Sequence, residues 1–227
     1  MCGRYVSPDE ASIEREFDLP AAGWSFPQSF NVAPAQSVPA IRTDGGKPHA
    51  ALLRWGLVPF FAKGVPGKYS TINARIETVE SSASYRGPWR RAQRCIVPAR
   101  GFYEWHLNAD GSKTPFYIHA TDQELFGFAG LWDRSQRDDG TLLESFTIIT
   151  MPANALMAGI HNTKARMPAM LPRELRAAWL AGSPAEAREA LVSYPQERLA
   201  AHPVSARVNS PRNNDAQLLD PAPSAAN

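Results

Sequence analysis

The sequence contains no run of about 18 apolar residues, the length a helix needs to cross a bilayer. It opens without the basic segment and apolar stretch of a secretion signal. Together these absences set the expectation of a soluble, cytoplasmic protein with no membrane partner. Cysteine is scarce. Cys2 and Cys95 lie far apart, which argues against a disulfide framework and leaves two reduced thiols to be judged separately. The five histidines (His49, His106, His119, His161 and His202) show no close metal-ligand spacing such as His-Glu-x-x-His, and no Cys-x-x-Cys occurs, so neither a metal nor another cofactor is expected. A phosphate-cradling glycine loop and a Gly-x-Ser-x-Gly elbow are also missing.

Nor does one sign of charge dominate: the formal net charge is +2. The distribution is more telling, because residues 75–100 hold six arginines (Arg75, Arg86, Arg90, Arg91, Arg94, Arg100) against two acids (Glu77, Glu80). A guanidinium fork fits phosphate oxygens in pairs and stacks on bases, so this stretch, interleaved with Tyr85 and Trp89, suits a nucleic-acid strand. A solvated face fits it equally well. At 227 residues and 44% hydrophobic content the chain can bury one sizeable core, and one domain is favoured.

Ser7-Pro8-Asp9-Glu10 has the form of a capping box with proline in the first turn, predicting a short helix to about residue 17, followed by a proline-rich loop. Residues 51–58, 94–107, 114–120, 125–132 and 143–150 are rich in aromatic and β-branched side chains and read as strands. Turn signals at 108–111 and 138–140 predict hairpins. Residues 172–180 have helical character ending at Gly182, and Ser183-Pro184-Ala185-Glu186 repeats the capping pattern before a second helix of about ten residues. The expected fold is α+β: a single domain over residues 1–220 with a mainly antiparallel, barrel-like β core flanked by short helices, and a flexible C-terminal tail over 221–227.

Cys2 has a chemistry of its own. Methionine aminopeptidases remove Met1 when the next side chain is small, which would leave an amine and a thiol on adjacent carbons. An α-amino group ionises near pH 7.7–8.0, roughly, so a useful share is neutral and nucleophilic at physiological pH. It can attack an aldehyde to give an imine, and the thiol can close onto that carbon to form a five-membered thiazolidine. An incidental or structural residue remains the other reading of a lone cysteine at position 2.

Several motifs follow Met1-Cys2-Gly3-Arg4-Tyr5 in order: Phe30-Asn31-Val32-Ala33-Pro34, Arg54-Trp55-Gly56-Leu57-Val58-Pro59 and Ile72-Asn73-Ala74-Arg75-Ile76-Glu77-Thr78. After them come Arg94-Cys95-Ile96-Val97-Pro98-Ala99, Gly101-Phe102-Tyr103-Glu104-Trp105, His161 with Arg166-Met167-Pro168, and His202-Pro203-Val204-Ser205. Over residues 2 to about 210 the chain resembles the SOS response-associated peptidase (SRAP) family of abasic-site processing proteins. The resemblance implies binding of single-stranded DNA and a covalent thiazolidine crosslink between Cys2 and the ring-opened aldehyde of an abasic site, shielding it from cleavage. Its peptidase label would here amount to autoproteolytic removal of Met1.

By the same resemblance the candidate catalytic residues are Cys2 as nucleophile, Glu104 as general acid and base, Asn73 orienting the reacting residue, and His161 assisting sugar opening. Arg4, Arg75 and Arg166 match phosphate-holding positions, and Pro34 and Trp105 match apolar residues set against neighbouring bases. Phe60-Phe61 stand where many members carry a tryptophan, which puts a stacking role there in doubt. Cys95 is expected to be a buried, inert thiol and His202 an organiser of the C-terminal segment. The expected partner is abasic single-stranded DNA, with the replication machinery as a further candidate, a monomeric state, and association with the nucleoid when bound to DNA. Two other classes stay open: an N-terminal nucleophile hydrolase such as an amidotransferase, which also begins Met-Cys-Gly, and a non-catalytic single-strand-binding module.

Overall fold

The first strand, β1 (Arg4–Ser7), is short because Pro8 ends it, and Asp9 then caps helix α1 (Glu10–Glu16) by accepting from the Ser12 N–H at 2.8 Å. A cap of this kind stabilises by about 1 kcal/mol. The capping box expected from Ser7 is therefore displaced by two residues: Ser7 is the last residue of β1, and the Glu10 carboxylate accepts from the Phe26 N–H instead. The computed structural model describes residues 2–21, 25–68 and 70–223.

The proline-rich stretch contains two strands that its composition hid, β2 (Ser29–Val32) and β3 (Ser37–Asp44), the second forming a long hairpin with β4 (Lys47–Trp55). Then come β5 (Asn73–Arg75), helix α2 (Arg86–Arg90), β6 (Arg94–Ala99), β7 (Gly101–Leu107) and β8 (Lys113–Ala120). The single strand expected over 94–107 is thus two strands in different sheets, broken at Arg100, where the chain turns a corner. Gly101 opens the second because the Tyr117 ring lies against it: a Cβ there would come within 2.3 Å of that ring. The hairpin turns expected at 108–111 and 138–140 join β7 to β8 and β9 (Phe126–Gln136) to β10 (Leu142–Pro152). Helix α3 (Ala155–Ile160), strands β11 (Arg166–Pro168) and β12 (Met170–Leu171), helices α4 (Arg176–Ala181) and α5 (Pro184–Glu189), and β13 (Leu199–Pro203) complete the chain. Ser183 caps α5 in a full capping box, though that helix has six residues rather than ten.

One sheet has the order β11-β10-β4-β3-β6-β9-β12, with β5 beside β10, and pairing of β9 with β10 closes its middle strands into a barrel. The second sheet, β13-β8-β7-β1-β2, wraps one side. The result is an α+β domain with a barrel core and short helices around it. Inside, Tyr5, Trp55, Phe102, Phe126, Phe128 and Phe146 are fully buried. Tyr5 meets Trp55 edge-on at 5.3 Å and Phe128 at 5.9 Å, geometries that suit aromatic quadrupoles. This plug, three residues after Cys2, fixes where the N-terminal segment lies. At the other end, Val204 bridges Pro221 and the Ala222 N–H donates to the Pro203 carbonyl at 2.8 Å. The rest of the expected tail, residues 224–227, lies outside the described residues.

Candidate functional site

Strand β1 lies between β2 and β7, with Arg4 opposite Tyr103 and Tyr5 opposite both Phe102 and Val32. An interior strand delivers Cys2 to the place where Asn73 opens β5, Glu104 lies along β7 and His161 follows α3. Cys2 is 1% exposed, its thiol donates to the Arg4 carbonyl at 3.6 Å, and its own carbonyl accepts from Asn73 Nδ2 at 2.9 Å. Asn73 is held in turn by its strand pairing with Ile148 and by Tyr85, whose hydroxyl donates to the Asn73 carbonyl at 3.0 Å. The side-chain oxygen of Asn73 is buried and accepts no hydrogen bond among the described residues.

Along β7 the side chains alternate. Tyr103 and Trp105 turn towards a small apolar cluster with Val6, Val204 and Val208, so Glu104 faces the other way, 4% exposed. Its Oε1 accepts from the Trp105 N–H at 3.3 Å, and its Oε2 is 3.9 Å from His161 Nδ1. His161 ends α3, its N–H donating to the Met157 carbonyl, and its Nδ1 donates to the Arg166 carbonyl at 3.0 Å. Burial, first, and the Glu104 carboxylate, second, push the Cys2 thiol far above its ordinary range. The sulfur is therefore held as the thiol. A pocket of about 260 Å³ opens on Glu104 and His161, walled by Trp105 and Leu107, with Lys113, Thr163 and Lys164 around it.

The structure thus brings together Cys2, Asn73, Glu104 and His161. Arg4 donates to the Gly3 carbonyl at 2.9 Å and the Asn209 carbonyl at 3.5 Å, and Trp105 Nε1 donates to Asn209 Oδ1 at 2.9 Å. Asn209 therefore ties two of the expected DNA-contacting residues to the C-terminal segment, and nothing in its sequence context singled it out. Arg75 is exposed, two residues beyond Asn73 on β5. Pro34 is half-buried just past β2, and because β1 and β2 run antiparallel it lies on the Cys2 side of the Tyr5–Val32 pair.

Arg166 is differently engaged. Its fork holds both Glu77 oxygens, at 2.5 and 3.0 Å, and the Thr150 carbonyl at 2.6 Å, with its side chain 11% exposed. The arginine-rich stretch also divides. Arg91 pairs with Asp133, Arg94 donates to the Gly182 carbonyl, Arg100 pairs with Glu124, and Trp89 packs against Trp179 in the core. Arg75, Arg86 and Arg90 are its exposed members without an ion pair among the described residues. Phe60 and Phe61 are each 56% exposed and meet edge-on at 5.5 Å. Cys95 is fully buried, and His202 Nε2 donates to the Leu219 carbonyl at 2.8 Å, pinning the C-terminal segment. Met1 lies outside the described residues. Among the described residues no three His, Cys, Asp or Glu side chains gather as a metal site, and no helix is long and apolar enough to cross a membrane.

Fold and site define a class: a β-barrel domain that presents a cysteine near its N-terminus to a buried acid and histidine. A family model described as SOS response associated peptidase (SRAP) matches residues 1–211, and the chain belongs to this family. It is 38% identical to the abasic site processing protein YoaM of Bacillus subtilis (strain 168), over 97% of this chain and 98% of that one. It is also 35% identical to the abasic site processing protein HMCES of Gallus gallus, over 85% of this chain and 66% of that protein. Crystal structures of proteins from Bordetella bronchiseptica (TM-score 0.78, 29% identity, 90% of this chain and 100% of that one) and Bacteroides thetaiotaomicron (TM-score 0.74, 32% identity, 85% of each chain) share the fold.

Proposed function

We propose that this protein captures abasic sites in single-stranded DNA by forming a thiazolidine between Cys2 and the ring-opened sugar. The observation that carries this reading is the contact of Asn73 with Cys2 beside a buried Glu104 and His161. Loss of Met1, by an aminopeptidase or autoproteolysis, frees the Cys2 amine. That amine adds to the C1′ aldehyde, the carbinolamine loses water, and an imine remains. The thiol then adds across the C=N bond, sulfur to carbon and its proton, by way of a neighbouring base, to nitrogen. The balance is aldehyde plus cysteine giving thiazolidine plus water.

Glu104 and His161 are the groups at hand to move these protons, each addition and dehydration needing one delivered or taken. The Asn73 amide is neutral, so it orients the residue without drawing charge away from the amine, and its oxygen, without a partner among the described residues, is available to an N–H. Burial and the Glu104 carboxylate favour the protonated thiol, so the sulfur needs a neighbouring base to take its proton as it adds to the imine. Arg4 and Arg75 hold phosphates, while Pro34 and Trp105 cover bases flanking the lesion. The protein acts as a monomer on single strands exposed near the replication machinery and is nucleoid-associated while bound.

Mass spectrometry tests the reading directly. Purified protein exposed to abasic single-stranded DNA should lack Met1 and gain the DNA mass less one water, in a complex that survives denaturation. Absence of any covalent adduct with the Met1-free protein overturns it. Glutaminase activity without DNA would instead indicate an amidotransferase, and equal, purely salt-sensitive affinity for intact and abasic strands a passive binding module.

A further inference from the structure

An abasic sugar within a strand is flanked by two phosphodiesters, and Arg4 and Arg75 are the guanidinium groups proposed above to hold phosphate. Arg166, the cation beside His161, is neutralised by Glu77 and anchored on Thr150. The pocket above Glu104 and His161 nevertheless receives two other cations, Lys113 and Lys164. Both are exposed, and neither makes a hydrogen bond or ion pair among the described residues.

The fold brings them to one rim. Lys113 begins β8 and pairs across the hairpin with Leu107, the last residue of β7. Lys164 lies in the loop after α3, and that loop is stapled to the same Leu107: Asn162 Oδ1 accepts from the Leu107 N–H at 3.0 Å, and Asn162 Nδ2 donates to the Leu107 carbonyl at 2.9 Å. A third tie, from His106 Nδ1 to the Gly159 carbonyl at 2.9 Å, holds the end of α3 against β7. The hairpin and the loop thus sit on either side of Leu107, each carrying one uncommitted ammonium to a pocket whose floor holds the proposed proton-transfer pair.

We infer that Lys113 and Lys164 form a phosphate-binding rim that grips the phosphodiester on the Glu104–His161 side of the abasic sugar, opposite the one held by Arg4 and Arg75. The inference rests on the function proposed above. An ammonium on a flexible stem binds phosphate as a point charge and tolerates the sugar's movement as its ring opens, which a rigid fork on a strand would restrict. The rim is a positioning device, since neither lysine takes part in the proton transfers.

The experiment compares wild-type protein with Lys113→Ala/Lys164→Ala and Lys113→Arg/Lys164→Arg, on abasic single strands and on strands carrying a stable tetrahydrofuran abasic analogue. The alanine pair should raise the protein concentration for half-maximal crosslinking about tenfold, with the saturating rate within about twofold and the salt dependence of binding shallower by about 0.7 for each lost contact. The arginine pair should restore affinity. Replacing one flanking phosphate with an uncharged methylphosphonate should weaken wild type and leave the alanine pair indifferent. An unchanged half-saturation and salt slope in the alanine pair, or equal sensitivity to the methylphosphonate, overturns the rim while leaving the Cys2 reading intact. Failure of wild type to crosslink overturns that reading instead, and analogue binding still decides whether the lysines hold phosphate.

Discussion

The two cysteines make an instructive pair. Cys2 and Cys95 are both buried, and burial pushes both thiols far above their ordinary range. Around Cys95 the neighbours are those of a barrel wall: Gly130 across the sheet, and the Trp179 indole donating to the Cys95 carbonyl at 2.8 Å. Around Cys2 stand a carboxylate, an imidazole and an amide. Burial therefore does not separate the two sulfurs; what differs is that groups able to move protons stand beside Cys2.

The sharpest way to break this contrast is to remove each sulfur. Cys2→Ala should abolish the denaturation-resistant DNA adduct while Cys95→Ala retains it, read by gel shift after denaturation; retention of the adduct in Cys2→Ala would dissolve the distinction. Next in size, Glu104→Gln should slow crosslinking by about 10²- to 10⁴-fold, the range for loss of a general acid or base, in single-turnover time courses.

The inert side has its own test. A Cβ on Gly130 would lie 2.9 Å from the Cys95 sulfur and 2.9 Å from the Thr147 carbonyl oxygen. Gly130→Ala should therefore cost about 1–3 kcal/mol in urea denaturation, and adding Cys95→Ala should recover only part of it, because the carbonyl contact stays.

Alkali probes both sulfurs together. The fold raises each thiol above its ordinary value of 9.0, so it favours the protonated form. The stability this confers is whole below about pH 9 and drains away as pH climbs from there towards the folded-state values. The urea midpoint should fall above pH 9, and less steeply in either alanine variant. Smallest of all, Asn209→Ala should raise the concentration for half-maximal crosslinking a few-fold, through loss of about 1 kcal/mol of hydrogen bonding to Trp105, without changing the saturating rate.

Strands β7 to β10 could be read from the chain because they are rich in aromatic and β-branched residues and the turns within each hairpin carry Asp-Gly signals. Strand β3 could not, since a run with Pro39 as its third residue looks like a loop until a partner, β4, pairs with it along its whole length. The break at Arg100 was hidden for a related reason: both halves are apolar, and only the Tyr117 ring against Gly101 marks the corner. At the site, Cys2, Asn73, Glu104 and His161 were named by resemblance and found to converge. Arg166, expected on phosphate, holds in its fork the carboxylate of Glu77, two residues beyond Arg75. Tyr85 and Trp89 were read as interleaving a nucleic-acid strand, yet one supports Asn73 and the other packs in the core.

The strand that carries the proposed nucleophile is an inner member of its sheet, and its partners on either side are β2 and β7. During synthesis the segment therefore cannot dock until roughly the first hundred residues have left the ribosome. Throughout that interval Cys2 is open to solvent, and once β1 has docked it is buried. On the function proposed above, timing on the ribosome, and not only local side-chain size, would then set how completely the Cys2 amine is unmasked.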